Sequence, residues 1–99
     1  MYFIVWKYSV PESHQMIFEN EYGNKGVWAK LFKKSSQYLR SDLIKINSDF
    51  TTYFLIDIWK SEKSYHEFLK KHNQEYSDIS SKNETLYSSE IKLGEFDCR

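Results

Sequence analysis

The sequence predicts a single α+β domain, residues 1–99, in which two helical segments cover one face of a four-stranded antiparallel sheet. Four segments carry apolar side chains at the strand period of two, and two carry them three and four residues apart, as helices do. The order is strand, broken helix, strand, strand, helix, strand. Two strand–helix–strand units of the usual right hand place both helices on one face, which is the ferredoxin-like βαββαβ sandwich.

The first half of the chain predicts a strand and then a helix. The strand covers residues 2–10. Pro11 and Glu12 open the helix, because proline is well tolerated in a first helical turn. The inner stripe of this helix is predicted to be His14, Ile17, Phe18 and Tyr22.

The segment "GNKG", Gly23–Gly26, breaks the first helix. A second helical piece follows, with an apolar side made of Val27, Trp28, Leu31 and Phe32. A Gly-x-x-Gly loop between helices also occurs in RNA-binding KH domains, where it clamps backbone phosphates. The formal net charge of zero argues against RNA, so we interpret the break as a bend that lets the helix follow the sheet.

The second half of the chain predicts two neighbouring strands, a helix and a closing strand. The strands cover residues 39–47, 51–60 and 90–96, with a turn at 47–49. Ser61 is the predicted N-cap of the helix. Its inner stripe is Tyr65, Phe68, Leu69, His72 and Tyr76. Residues 77–88 are predicted to be a polar stretch.

The third strand is apolar on both faces. Its side chains point alternately to one face, with Phe54, Ile56 and Ile58, and to the other, with Tyr53, Leu55 and Trp59. The helices of the chain cover only one face of the sheet, and a large wet apolar surface is unusual on a monomer. We therefore expect a homodimer, in which the sheets of two copies face each other and form a barrel-like core.

Composition limits the compartment and the partners. A net charge of zero argues against nucleic acid or an anionic membrane as the main partner. The single cysteine, Cys98, excludes a disulfide within the chain, which fits the cytoplasm. The first ten residues lack the basic start and the apolar length of a signal peptide, and no run is long enough to span a membrane. The prediction is a cytoplasmic protein without nucleic-acid or membrane partners.

Three stretches together resemble the antibiotic biosynthesis monooxygenase domain family of dimeric α+β barrels. They are "EYGNKGVWAKLFKKSSQYLRSDLI", "YFLIDIWKSEKSYHEFL" and "EIKLGEF", and the resemblance extends over residues 2–96. It implies a homodimer with a small-molecule pocket between helices and sheet in each subunit. It also implies oxidation of aromatic polyketides to quinones without metal or flavin, the activity that gives the family its name.

Other members of the family degrade haem. They use an asparagine on the first strand and a tryptophan and a histidine on the last helix. The corresponding places in this sequence hold Lys7, Phe68 and Asp78. We therefore expect no specific haem ligation, with His72 the only substitute ligand nearby.

Asp57 and His72 are the predicted catalytic residues. Burial in an apolar strand raises the pKa of a carboxyl, which would suit Asp57 to take a proton from a phenol. The alternative is a structural acceptor paired with Lys45 or Arg40. His72 lies on an inner stripe, where it could move a proton or be an ordinary hydrogen-bonded histidine. With Glu75 one turn away it is half of a metal site, but no second cluster completes it, so no metal is predicted.

The predicted ligand-binding residues are Trp28, Phe32, Trp59 and Phe68. All are aromatic and belong to stripes or faces that point between helices and sheet, where this fold leaves a concavity. Aromatic walls suit a flat ring. The alternative is a filled core without a cavity, with Trp59 as plain packing.

These observations predict a cofactor-independent monooxygenase that oxidises a small phenolic molecule with O₂. The alternative, of a different class, is a non-catalytic module that binds a small aromatic or apolar ligand or only forms a dimer. A pocket lined only by apolar groups, with Asp57 paired away from it, would favour that alternative.

Overall fold

The computed structural model describes all 99 residues. Its strands are β1 (Tyr2–Ser9), β2 (Tyr38–Lys45), β3 (Thr52–Trp59) and β4 (Ser89–Asp97). Its α-helices are α1 (Gln15–Tyr22), α2 (Val27–Phe32), α3 (Glu62–Lys71) and α4 (Asn73–Asn83). Short 3₁₀ turns, Glu12–His14 and Glu84–Leu86, precede α1 and follow α4.

The four strands form one antiparallel sheet in the order β2-β3-β1-β4. This is the order of the predicted βαββαβ sandwich, which the structure confirms. β1 and β3 are the two central strands, and Tyr2 lies opposite Trp59 at one end of their pairing. Side chains that point to the helices therefore come from alternate positions of these two strands.

The core between sheet and helices is largely aromatic and consists of two clusters. One contains Tyr2, Ile4, Leu31, Phe32, Tyr38, Trp59, Tyr65 and Phe68. The other contains Tyr8, Val10, Phe18, Tyr22, Tyr53 and Leu55. Trp6 and Trp28 pack against both clusters, so they mark the boundary between them.

The first helix begins later than the sequence predicts. Pro11 and Glu12 lead into a 3₁₀ turn, and the α-helix starts only at Gln15. The predicted inner position of Ile17 is wrong, since this side chain is 52% exposed. The buried positions of α1 are Gln15, Phe18 and Tyr22, spaced by three and four residues. Ile17 lies about 100° around the helix from Phe18 and so points away from the sheet.

The glycine break has a steric cause. A Cβ on Gly26 would lie 2.3 Å from the carbonyl oxygens of both Asn20 and Glu21. A Cβ on Gly23 would lie 2.7 Å from the carbonyl oxygen of Glu19. The two glycines therefore allow α2 to start against the end of α1, as the predicted bend requires.

The last helical region is longer than predicted. Ser61 caps α3 as expected, since its side chain accepts a hydrogen bond of 3.1 Å from the Ser64 backbone N–H. The helix is interrupted at His72, and α4 then continues to Asn83. Most of the predicted polar stretch 77–88 is thus helical, and Ser77, Asp78, Ser81 and Lys82 form the exposed side of this part of α4.

The sheet face opposite the helices is uncovered, and we call it the open face. Phe3, Val5, Ile56, Ile58 and Phe96 lie on it around a concavity of about 340 Å³. Arg40 and Asp42 line the same concavity and form an ion pair. The predicted apolar character of both faces of β3 is therefore confirmed.

Among the helices, none has the length and apolar character needed to cross a membrane.

Candidate active site

A small cavity lies between the sheet and the helices, and we call it the aromatic cavity. Its volume is about 40 Å³. Its lining comes from β1, β3 and β4 of the sheet and from α1, α2 and α4: Trp6, Tyr8, Tyr22, Trp28, Phe32, Leu55, Asp57, Tyr76, Ser80 and Glu90. The space is enough for water but smaller than a cavity that holds an aromatic ring.

Asp57 lies on the sheet side of this cavity because of strand alternation. It shares the helix-facing side of β3 with Leu55 and Trp59. Its cross-strand neighbours are Ile4 on β1 and Ser41 on β2. The carboxyl is therefore held in the centre of the sheet, with backbone pairing on both sides.

The Asp57 carboxyl is buried, and the residue is only 5% exposed. Ser41 Oγ donates a hydrogen bond of 2.6 Å to Asp57 Oδ1, and the Tyr38 hydroxyl lies 2.6 Å from Ser41 Oγ. Burial raises the pKa of Asp57 to about 6, while hydrogen bonding from Ser41 and from the Trp6 side chain acts in the opposite direction. A carboxyl with this pKa is ionised at neutral pH and is a stronger base than an exposed aspartate.

No basic side chain pairs with Asp57. Arg40 pairs with Asp42, and the Lys45 ammonium donates to Gln15 Oε1 at 2.9 Å. The ion pair with Lys45 or Arg40 that was considered from the sequence is therefore not found, while Asp57 does serve as a hydrogen-bond acceptor for Ser41. The carboxylate depends on hydrogen bonds alone for its stabilisation.

Aromatic rings from the helices form the wall opposite the carboxyl. The rings of Trp28 and Tyr76 meet edge to face with centroids 4.9 Å apart. Tyr22 and Phe32 flank the Trp28 ring at 6.1 and 5.9 Å. The Trp28 indole N–H is buried and has no hydrogen-bond partner in the protein. The wall is thus apolar apart from this donor and the tyrosine hydroxyls.

Polar groups lie at the β4 side of the cavity. The Tyr8 hydroxyl donates a hydrogen bond of 2.7 Å to Glu90 Oε2. Ser80 on α4 completes the polar lining. Burial raises the pKa of Tyr76 to about 12 and also raises that of Tyr8, so both phenols stay protonated at neutral pH.

Three of the predicted site residues come together, and three do not. Trp28, Phe32 and Asp57 line the aromatic cavity. Trp59 is fully buried in the neighbouring core, where its ring packs edge to face on Phe32 at 5.6 Å. Trp59 therefore matches the alternative considered from the sequence, in which its ring only packs in the core.

Phe68 and His72 line a different concavity, which we call the outer groove. It measures about 300 Å³ and is bounded mainly by polar side chains: Lys34, Ser35, Ser36, Gln37, Ser64, Glu67 and Lys71. The predicted grouping of Phe68 and His72 with the cavity residues is therefore not found. Phe68 is bulky and stands between His72, on which it stacks, and the core ring of Trp59.

His72 has its own set of contacts in the outer groove. Its Nδ1 lies 2.7 Å from Glu75 Oε1, and Lys34 pairs with the other oxygen of Glu75. These contacts lower the pKa of Glu75, with the His72 hydrogen bond as the largest cause. A catalytic role for His72 stays a prediction, to be tested separately from the cavity. No group of three or more histidine, cysteine or acidic side chains is placed to hold a metal ion.

Several lining residues were not predicted as site residues. Trp6 and Tyr8 alternate with the open-face residues of β1, and this pattern alone could have placed them on the helix side. Tyr76 was predicted on the inner stripe of the last helix but not as a site residue, and Ser80 lies on the part of α4 that the sequence did not predict to be helical. Ser41 could not be found from spacing, because its contact with Asp57 depends on the register between β2 and β3.

Solved structures with the same fold include several oxygenases. A point mutant of SnoaB, a cofactor-independent oxygenase from Streptomyces nogalater, superposes with a TM-score of 0.72 at 15% identity, over 99% of this chain and 92% of that one. A candidate antibiotic biosynthesis monooxygenase from Deinococcus radiodurans gives a TM-score of 0.77 at 10% identity, over 100% and 93% of the two chains.

A third structure of the same fold contains bound porphyrin. It is a point mutant of MhuD with two manganese protoporphyrin IX molecules per active site, and it gives a TM-score of 0.70 at 15% identity over 99% of this chain and 94% of that one. No protein-family model and no curated protein matches the sequence. At these identities the likeness concerns the fold, and this chain has the fold of the antibiotic biosynthesis monooxygenase structures over its whole length.

Proposed function

We propose that the protein is a cofactor-independent monooxygenase that converts a small phenolic molecule into a quinone in the aromatic cavity. The observation that carries this proposal is the buried Asp57 carboxyl, with a pKa raised to about 6, on the sheet side of a cavity walled by aromatic rings. The fold that the chain shares with SnoaB, a cofactor-independent oxygenase, supports the same reaction class.

The first step is proton removal. Asp57 takes the hydroxyl proton of the phenol, and the phenolate gives one electron to O₂. The ring radical and superoxide then join through a new C–O bond at a ring carbon that carries hydrogen. Asp57 returns its proton to the terminal peroxide oxygen, so that it can leave as hydroxide.

The second step forms the quinone. The O–O bond breaks, the ring carbon loses its hydrogen as a proton, and hydroxide and proton combine to water. One oxygen atom of O₂ enters the product and the other leaves as water. The phenol supplies all the electrons, and this chemistry requires of the chain a base, an aromatic wall and access for oxygen.

The aromatic ring of the substrate must enter the cavity by displacing side chains. The cavity holds about 40 Å³, whereas an apolar cavity that accepts benzene measures about 150 Å³. The Trp28–Tyr76 contact joins α2 and α4 on the helix side, so separation of these two rings is the simplest way to enlarge the cavity. The buried Trp28 N–H would then gain a hydroxyl or carbonyl oxygen of the substrate as its acceptor.

A second copy of the chain is the proposed partner for the open face. The face carries apolar side chains from both central strands and from β4, with the Arg40–Asp42 pair at the concavity. A self-complementary contact between two such sheets would remove this apolar surface from water. Stable interfaces of this kind bury on the order of 1,200–2,000 Å² in total.

Haem degradation has less support. No histidine lines the aromatic cavity. Of the three residues at the places that haem-degrading members use, Lys7 and Asp78 are exposed, while Phe68 is buried in the core. The porphyrin-bound neighbour therefore supports the fold, and an aromatic substrate small enough for this cavity is the better proposal.

The test is to offer hydroxylated anthrones, naphthols and simple phenols to the purified protein while following O₂ uptake and quinone absorbance. We expect turnover that falls roughly a hundredfold or more in Asp57→Asn, as is typical for loss of a general base. Binding without turnover would instead support the non-catalytic ligand-binding module. Turnover that is unchanged in Asp57→Asn would remove this carboxyl from the mechanism.

A further inference from the structure

Three buried side chains form a hydroxyl chain that ends on the proposed base. Ser41 lies opposite Asp57 in the pairing of β2 with β3. Its Oγ donates to Asp57 Oδ1 at 2.6 Å, and the Tyr38 hydroxyl lies 2.6 Å from the same Oγ. The exposed fractions are 8% for Tyr38, 4% for Ser41 and 5% for Asp57, so the chain is shielded from water along its length.

The hydrogen bonds of the hydroxyl chain have one favourable direction. A serine hydroxyl carries a single hydrogen, and that of Ser41 is used on Asp57. Tyr38 must therefore donate to Ser41. Both hydroxyls then point their hydrogens towards the carboxyl, and each bond polarises the next.

Protonation of Asp57 at Oδ1 would reverse this arrangement. The acid would donate to Ser41, Ser41 would donate to Tyr38, and the Tyr38 hydrogen would be left without an acceptor in the protein, since Ser41 is the only hydrogen-bond partner of that hydroxyl. A buried donor without a partner is costly. The hydroxyl chain thus opposes protonation at Oδ1, and its hydrogen bond to the carboxylate favours the ionised form of Asp57.

We propose that Ser41 and Tyr38 are positioning residues that keep Asp57 ionised and leave its Oδ2 atom for the proton of the substrate. This inference rests on the proposed function, because it assigns the free carboxyl oxygen to the reaction. Ser41 occupies Oδ1 and fixes the plane of the carboxyl. Tyr38 in turn fixes the orientation of the Ser41 hydroxyl.

The other ionisable groups around Asp57 do not compete for this role. Those contributed by the surrounding elements are Tyr8, Tyr22, Tyr65, Tyr76 and Glu90. The pKa of each of these four tyrosines is raised by burial, so they remain neutral donors. Glu90 already accepts a hydrogen bond from Tyr8. The Trp6 side chain and the hydroxyl chain are therefore the two hydrogen-bonding supports of the Asp57 carboxylate, and the hydroxyl chain is the one that reaches it through Ser41.

The test is a titration of the Asp57 carboxyl by carbon-13 NMR, in protein labelled at the aspartate side chains. The signal of Asp57 is identified by its loss in Asp57→Asn. We expect Ser41→Ala to raise the pKa of Asp57 by about one to two units, which corresponds to loss of a hydrogen bond to a charged group. Ser41→Thr keeps the hydroxyl and should restore the wild-type value, and Tyr38→Phe should give a smaller rise than Ser41→Ala.

In the pH profile of kcat, the acidic limb should move to higher pH by the largest amount in Ser41→Ala and by a smaller amount in Tyr38→Phe. A pKa of Asp57 that is unchanged in both Ser41→Ala and Tyr38→Phe overturns the inference, even if the enzyme is active. A shifted pKa in a protein that oxidises none of the phenols overturns the proposed function but supports the hydroxyl chain. The titration is done without substrate, so the two failures can be distinguished.

Discussion

The ring of Trp28 on α2 meets the ring of Tyr76 on α4 at an angle of 64°, with the centroids 4.9 Å apart. This contact joins the broken first helical region to the last helix directly over the aromatic cavity. Both rings line the cavity, and Asp57 lies on its sheet side. The usable volume of the site therefore depends on how far these two rings can separate.

Removing one ring should make the cavity able to bind an aromatic compound. We expect Tyr76→Ala to lower the free energy of unfolding by about 2 kcal/mol, because the half-buried ring leaves a cavity behind. We also expect 2-naphthol to bind this variant at least tenfold more tightly than the wild type, as measured by isothermal titration calorimetry.

Tyr87→Ala is the matched control for this experiment. Tyr87 is also half-buried and packs its ring on Tyr8 at 5.1 Å, but it does not line the cavity. Tyr87→Ala should lower the stability of the protein without tightening the binding of 2-naphthol. Equal affinities in the two variants would mean that the ring of Tyr76 does not limit access.

Asp57 should give the protein a distinctive pH dependence of stability. Its pKa is raised from its usual value of 3.8 to about 6 in the folded state, so between these values the folded state binds more protons than the unfolded one. The stability that comes from the protonated acid is present below about pH 4 and is lost as the pH rises through 6. The shift corresponds to about 3 kcal/mol in the free energy of unfolding.

Urea denaturation at several pH values between 4 and 7 measures this contribution. The stability of the wild type relative to Asp57→Asn should fall by about 2 kcal/mol over this range, because most but not all of the titration lies within it and asparagine does not titrate. Parallel curves for the two proteins would show that the carboxyl has the same pKa in the folded and unfolded states.

A charge on the open face should prevent assembly. We expect the wild type to be a dimer at micromolar concentration and Ile56→Glu to be a monomer, because an unpaired carboxylate in an apolar interface is strongly unfavourable. Sedimentation velocity gives the mass of both.

Ile17→Glu provides the comparison, since Ile17 is an exposed isoleucine on α1 and lies away from the open face. It should leave the mass unchanged. A wild-type protein that sediments as a folded monomer would contradict the proposed homodimer.

The glycine break should not tolerate a side chain. In Gly26→Ala the new Cβ would lie 2.3 Å from two backbone carbonyl oxygens, so α2 would have to move away from α1. We expect the free energy of unfolding of Gly26→Ala to be lower by about 2 kcal/mol or more, as for other overpacked sites. Thermal unfolding measures it, with Asn24→Ala, an exposed change in the same loop, as control. Equal melting temperatures for the two variants would refute the steric explanation.

The fold was largely predictable because its signals are local. The alternation of β3, the cap at Ser61 and the break at Gly23–Gly26 each follow from short stretches of sequence. The extent of α4 was not predictable in the same way. Its polar residues lack a strong apolar stripe, and its position depends on packing of Tyr76 and Ile79 against the core.

The site was predictable only in part, for a related reason. Asp57 was evident as a charged residue inside an apolar strand, and Trp28 and Phe32 were evident from helix periodicity. His72 was assigned to the same pocket because it continues the stripe of the last helix. The helix is interrupted at His72 itself, so the periodicity of α3 no longer predicts where the side chain lies. The contact between Ser41 and Asp57 depends on strand register, which a single sequence does not specify.

The alternation of β3 has one more consequence. Ile56 and Ile58 on the open face are the immediate chain neighbours of Asp57, so a single layer of backbone separates the outer surface of the sheet from the buried carboxyl. A contact on the open face that changes the twist of β3 would also rotate the peptide groups on either side of Asp57. Whatever covers the open face therefore lies one residue along the chain from the Asp57 carboxyl, with no other element of structure between them.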